Sequence, residues 1–297
     1  MPFAHLLLAL LVVAIWGTNF VVIDVGLSHF PPLTFAGLRF ALASLPLLLF
    51  VPRPRIAFAG LAAYGLLSGV GQFGLMLYAL SGHISPGLAS LLIQAQAFFT
   101  VGLAALLARE PVRAGNLAAL ALCSAGVLLV AANIGGDADL TGILLVLGAA
   151  LSWAGANMVV KRAGAINMLA LVVWSGPIAA GPLLAAALLL EGYPAMAGSV
   201  AHADGTAWAT LLWQCFGNAL FGYTAWNWLL SRHPAAEVAP MGLLVPIFGL
   251  SASAWFVAEP MPPWKLAAAA LVLAGLGINL MASRRAASLA PSASKAP

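Results

Sequence analysis

Residues 110–126 read EPVRAGNLAALALCSAG, and residues 259–275 read EPMPPWKLAAAALVLAG. The two stretches align without a gap at an offset of 149 residues, which sets Glu110 on Glu259, Pro111 on Pro260, Leu117 on Leu266 and Gly126 on Gly275. Each is a polar turn that opens onto a run of Ala, Leu, Val and Gly. The correspondence continues outward. At an offset of 148, Phe73-Gly74 falls on Phe221-Gly222 and Tyr78 on Trp226; at 137, Trp16 falls on Trp153. The chain reads as an internal duplication, and the number of helices per copy decides the fold.

Apolar runs of about 17–25 residues, the length that crosses a bilayer, occupy 3–23, 33–51, 57–80, 86–107, 115–132, 140–160, 168–190, 206–230, 236–257 and 264–282. Turn signals separate them, among them Pro31-Pro32, Pro52-Arg53-Pro54, Ser81-Gly82, Arg109-Glu110-Pro111, Gly135-Gly136 and Met261-Pro262-Pro263. Of 297 residues, 63% are hydrophobic and 7% charged, whereas a soluble domain is about 25% charged. Mean hydropathy is +1.04. Too few charged side chains exist to cover a water-facing surface. A soluble enzyme, a nucleic-acid binder and a disordered chain are excluded. A membrane barrel would show alternating segments of about 10 residues, and these runs are continuous. The first run lacks a basic start and continues into Thr18-Asn19, so it reads as a span and not as a cleaved signal. Cys123 and Cys215 lie inside apolar runs and read as small core residues.

The reading is an all-α polytopic protein with ten spans. One five-helix repeat covers 1–133, a second covers 139–282, and an Ala/Ser/Pro-rich tail, 283–297, is expected to be disordered. Five is odd, so the second repeat enters the membrane inverted. The charges agree. With both termini cytoplasmic, the even-numbered loops and the tail carry Arg53, Arg55, Arg109, Arg113, Lys161, Arg162, Arg232, Arg284, Arg285 and Lys295, while the odd-numbered loops carry only Lys265. That asymmetry follows the positive-inside rule and orients both termini to the cytoplasm; the expected location is a bacterial-type inner (plasma) membrane. Asp24, Asp137, Asp139, Glu191, Asp204 and Glu259 gather on the other side. Inverted repeats are a device of secondary transporters, though duplications also occur in membrane proteins that transport nothing.

Ala14-Ile15-Trp16-Gly17-Thr18-Asn19, Leu38-Arg39-Phe40, Tyr78-Ala79-Leu80, Ser85-Pro86-Gly87-Leu88-Ala89, the two Glu-Pro turns and Leu151-Ser152-Trp153-Ala154 follow in order along the chain. In that order they resemble the EamA-type branch of the drug/metabolite transporter superfamily. The resemblance spans residues 3–282 and is nearest to the family's aromatic amino-acid exporters of the YddG type. It implies a basket of helices around a central cavity, lined by spans 1, 3, 4, 6, 8 and 9, with spans 5 and 10 bracing the outside.

Polar groups are costly in hydrocarbon and usually face a bundle interior. On the spans that the resemblance places around a cavity, Trp16, Asn19, Tyr78, Gln94, Trp153, Asn157, Trp213, Gln214, Asn218, Trp226 and Asn227 are the candidate substrate-binding residues. Amides would hold amino and carboxylate groups, and rings would pack on the side chain. The same amides serve equally as glue between helices, a role that suits Asn19 and Asn157 best, and the same rings as packing. Arg39 is the only basic residue deep in a span and reads as structural rather than as a counter-ion. No span carries a central Asp or Glu, which argues against obligatory proton coupling and for uniport. No Lys/Arg cluster suited to a dianion, metal motif, nucleotide loop or catalytic triad is present, so no enzyme activity and no cofactor or metal is expected. The expected function is secondary transport that exports small neutral or zwitterionic metabolites by alternating access, aromatic or other apolar amino acids first among them, and the expected partners are that small-molecule substrate and membrane lipids. Nucleic acid is excluded and no obligate protein partner is evident. The competing classes are a membrane scaffold or lipid-modifying enzyme and, among transporters, a drug or nucleoside/cation exporter.

Overall fold

A computed structural model describes residues 1–109, 112, 114–164, 166–233 and 235–289. The Glu110-Pro111 turn, Arg113 and the tail from residue 290 lie outside the described residues. Ten helical segments run back and forth: α1 (Phe3–Leu27), α2 (Pro32–Ser44, extended by a 3-10 turn Leu45–Leu49), α3 (Phe58–Leu80), α4 (Pro86–Leu92, a 3-10 turn Ile93–Ala95, then Gln96–Ala108), α5 (Ala114–Ala131), α6 (Leu140–Ala163), α7 (Met168–Leu190), α8 (Gly205–Leu212, Trp213–Phe221, Gly222–Arg232), α9 (a 3-10 turn Ala239–Leu244 leading into Val245–Phe256) and α10 (Pro263–Leu289). A short helix, Tyr193–Ala201, lies between α7 and α8. The helical backbone of α10 continues past Ser283, where a disordered tail was expected. Ser283-Arg-Arg-Ala-Ala-Ser-Leu289 is rich in strong helix formers, which extend an existing helix without a new nucleus.

Eight of these segments are long and apolar enough to span a bilayer by themselves. Their perimeter shows large apolar side chains such as Leu106, Leu128 and Leu189. A helix satisfies its own backbone groups, so such a surface suits lipid.

Helix ends follow from sequence. Prolines open α2, α4 and α10 at positions that need no N–H donor. Acidic residues at one end of the bundle cap helix N-termini. Asp139 accepts from Gly142 N at 2.7 Å and Asp204 from Ala207 N at 2.8 Å. Glu191 accepts from Leu33 N and Thr34 N at the start of α2, at 2.6 and 3.0 Å. Carboxylates there answer both the free N–H groups and the helix dipole.

One backbone feature recurs at the spacing of the aligned sequence stretches. Among the described residues, two non-glycine positions have positive φ, Arg109 and Ala258, both at 53°. They are 149 residues apart, and each precedes one of the Glu-Pro pairs. The packing repeats as well. α1 packs on α9 and α6 on α4; α3 packs on α6 and α7, and α8 on α1 and α2; α2 pairs with α7, and α5 with α10. Exchanging the two sets of five leaves that scheme unchanged. At the α5–α10 crossing, a Cβ on Gly126 would meet Val272 and the Ala268 carbonyl, and one on Gly275 would meet the Ala119 carbonyl and the Cys123 amide. The repeat-related glycines let these helices touch backbone to backbone.

Candidate functional site

A cavity of about 400 Å³ lies in the middle of the bundle. Seven segments line it: α1 (Trp16, Asn19, Phe20, Ile23), α3 (Gln72, Phe73, Met76), α4 (Ile93, Gln94, Gln96, Ala97), α6 (Trp153), α8 (Asn218, Tyr223, Trp226), α9 (Gly242, Leu243, Val245) and α10 (Leu276, Asn279, Leu280). None of these side chains is charged. The volume and the mix of aromatic walls with a few amides are those of a small-molecule site.

The geometry centres on Trp16. Its ring lies 5.2 Å from Trp226 and 5.7 Å from Tyr223, tilted by about 50° to each. Its Nε1 donates to the Asn218 carbonyl at 3.3 Å. Gly222 makes this approach possible, because a Cβ there would strike the indole. The accepting carbonyl sits in a π-helical stretch of α8, Trp213–Phe221; α3 carries another, Leu66–Gly74. Bonding to i+5 inserts a residue into a turn, and such turns recur at functional sites. Both stretches belong to the third helix of a repeat and both bring polar side chains, Gln72 and Asn218, to the cavity.

Six of the eleven residues singled out by sequence line this cavity: Trp16, Asn19, Gln94, Trp153, Asn218 and Trp226. The other five lie elsewhere. Gln214 is fully buried behind Asn19. The two amides pair reciprocally, Gln214 Nε2 donating to Asn19 Oδ1 at 2.7 Å and Asn19 Nδ2 to Gln214 Oε1 at 3.4 Å. Asn157 ties α6 to α4, donating to Gln96 Oε1 at 3.1 Å and Thr100 Oγ1 at 3.3 Å. Tyr78 is 45% exposed and borders a separate depression with His29, Pro31 and Glu191. Trp213 is on the perimeter, its ring against Gly217, and Asn227 is half-buried off the lining.

Gln72, Gln96 and Tyr223, with Phe20, Phe73, Met76 and the α10 residues, line the cavity without having been among the candidates from sequence. The signal for α10 was Asn279, a lone amide in an otherwise bland run. α10 is therefore a wall of the cavity as well as a brace.

One end of the bundle is closed. From Ile23 on the cavity wall, through Phe35, Leu77, Leu80, Leu88, Leu91 and Leu92, to Phe30 and Ile84 in the loops at 28–31 and 81–85, buried apolar side chains form one packed plug. An ion cluster locks the same end. Lys265, fully buried, donates to Asp137 Oδ2 at 2.7 Å, Glu259 Oε1 at 2.8 Å and the Pro260 carbonyl at 2.8 Å. Glu259 also accepts from Ser85 Oγ at 2.6 Å, Gly87 N at 2.9 Å and Ser253 Oγ. The cluster joins the ends of α4, α9 and α10 to the α5–α6 loop. Burial pushes the Glu259 carboxyl up, but Lys265, Ser253, Ser85 and the Gly87 amide outweigh it and hold it below the ordinary range.

Apolar helices long enough to cross a bilayer, arranged around an uncharged cavity and plugged at one end, make a membrane protein with room for a small molecule. The chain belongs to the EamA-like transporter family, whose profile it matches over residues 4–132 and again over 140–281. A Salmonella typhimurium protein named "Probable amino-acid metabolite efflux pump" is 42% identical, over 93% of this chain and 95% of its own. An Escherichia coli protein of the same name is 39% identical over the same shares. A crystal structure superposes with a TM-score of 0.63 over 96% of this chain and 99% of that one; at 16% identity it speaks for the fold alone.

Proposed function

We propose that this protein exports amino acids with aromatic or other apolar side chains, by alternating access and without obligatory ion coupling. The observation that carries the reading is the uncharged, aromatic-walled cavity. Trp16, Trp153, Trp226, Phe20 and Phe73 offer faces to a flat apolar side chain, and Gln72, Gln94 and Asn218 offer neutral donors and acceptors to its polar end. Neutral bonds are weak enough to permit release. The names of the two efflux-pump relatives agree with this class.

Two inverted five-helix repeats, 1–133 and 139–282, supply the two states. In the orientation the basic residues favour, in an inner membrane with both termini cytoplasmic, the plugged end is the outer one and this conformation faces inward. A single cysteine replacing exposed His202, in a chain lacking Cys123 and Cys215, should react with an impermeant thiol reagent added outside, and one replacing Arg53 should not. The reverse pattern would overturn the orientation.

Efflux of labelled phenylalanine from loaded proteoliposomes tests the transport reading. The rate should be unchanged when a pH gradient is imposed or collapsed at fixed substrate gradient, because no described carboxylate lines the cavity. Efflux that stops with the pH gradient would sink uniport.

A further inference from the structure

Arg39 stands at the middle of α2, only 2% exposed, and its Nε and Nη1 have no hydrogen-bond partner among the described residues. None of the described ion pairs includes it. Its guanidinium lies 3.6 Å from the ring centre of Phe73 and 4.9 Å from that of Phe40. Aromatic faces answer the positive charge, but they do not replace the oxygen acceptors that guanidinium N–H groups require. A structural arginine that caps a helix would use those donors on backbone carbonyls; these two reach none among the described residues.

Beside the guanidinium is a second cavity of about 20 Å³, lined by Tyr64, Ser68, Phe73 and Tyr223 among others. That is room for one water-sized atom. Phe73 and Tyr223 also line the central cavity, so the two spaces share a wall made of two side chains.

We propose that Arg39 is the seat of the substrate's carboxylate. Resting on the amino-acid reading above, the acid group of a molecule in the central cavity reaches past Phe73 and Tyr223, and one oxygen enters the small cavity to take the bonds that Nε and Nη1 lack. Tyr64 and Tyr223 also line the small cavity. The single cation matches a monoanion and leaves the second charge of a phosphate unanswered. The site also gives the protein what its amides cannot, a distinction between an amino acid and an amine of the same shape. Release remains possible because the Phe73 face holds the guanidinium when the acid departs.

The test is equilibrium binding of L-phenylalanine and L-phenylalaninamide to the purified full chain in lipid nanodiscs, for the parent, Arg39→Gln and Arg39→Lys. The parent should bind the acid at least about tenfold tighter than the amide. Arg39→Gln should lose that preference while binding the amide as the parent does, which also shows that it is folded. Arg39→Lys should keep a reduced preference. Equal binding of acid and amide by the parent overturns the site without any variant, and so does an Arg39→Gln chain that keeps the parent's preference. If Arg39→Gln binds neither ligand, Arg39→Lys decides: a preference as large as the parent's counts against the planar two-donor seat. A parent that binds neither compound defeats the amino-acid reading itself, a result distinct from the loss of the Arg39 site alone.

Discussion

Lys265→Ala should lower the thermal unfolding temperature in detergent by about 6–20 °C. All three ammonium protons of Lys265 are used, on Asp137, Glu259 and the Pro260 carbonyl, and the residue is fully buried. Removing it strands two carboxylates, one of them 97% buried in its side chain, without their cation. Breaking a buried pair from one side costs about 3–5 kcal/mol, and a chain of this size moves by roughly 2–4 °C per kcal/mol. The cluster also predicts an acid limit. The Glu259 carboxyl is held below its ordinary 4.5, so its contribution is complete above that pH and is lost as pH falls through the lower folded value. The parent should therefore destabilise below about pH 4.5, and Glu259→Gln, less stable at neutral pH, should show a shallower acid slope. An unfolding temperature for Lys265→Ala equal to the parent's would show that the cluster does not hold this end of the bundle.

Gly242→Trp should abolish transport and leave the fold intact. Gly242 lines the central cavity, and a Cβ built on it meets nothing within 4 Å. An indole grown from that position enters the space between Trp16, Trp226 and Leu276 and occupies the substrate's volume. The control is Gly102→Trp, also unobstructed but exposed on the outer surface of α4, where an indole meets lipid. Flux should fall by about a hundredfold or more for the first, the effect of losing some 3 kcal/mol of binding, and remain within about twofold for the second. Wild-type flux through Gly242→Trp at matched abundance would mean that the substrate passes elsewhere.

The sequence made the class and the repeat legible because both rest on patterns that tertiary structure cannot override. Twenty-residue apolar runs have one stable solution in lipid, and gap-free register between residues 110–126 and 259–275 survives whatever packs around it. The cavity was harder to read. Composition identifies which helices carry polar and aromatic groups, but facing depends on helical phase, and α3 and α8 contain π-helical stretches at Leu66–Gly74 and Trp213–Phe221. A residue inserted in a turn rotates everything beyond it. Even so, on α8 a plain count of about 100° per residue already sets Asn218, Trp226 and Tyr223 within an arc of roughly 140° and Trp213 opposite it; what the sequence leaves open is which face of the helix meets the cavity. Tyr78 is two residues beyond Met76, about 200° round an ordinary helix, and so ends on the outer depression while Met76 lines the cavity. The Asn19–Gln214 pair was illegible as a pair, since the two residues are 195 positions apart. The role of the outer acids was hidden as well. They count for little in topology, yet Asp139, Asp204, Glu191 and Glu259 each hold a helix N-terminus.

Counterflow tests the central claim most directly. Proteoliposomes loaded with unlabelled L-phenylalanine are diluted into trace labelled amino acid, with no ion gradient present. Labelled phenylalanine, tyrosine and tryptophan should accumulate transiently inside, and labelled glutamate and lysine should not, since the cavity lining has no charged side chain to answer a second net charge. Accumulation of none of the aromatic amino acids, or equal accumulation of glutamate and lysine, would contradict the account.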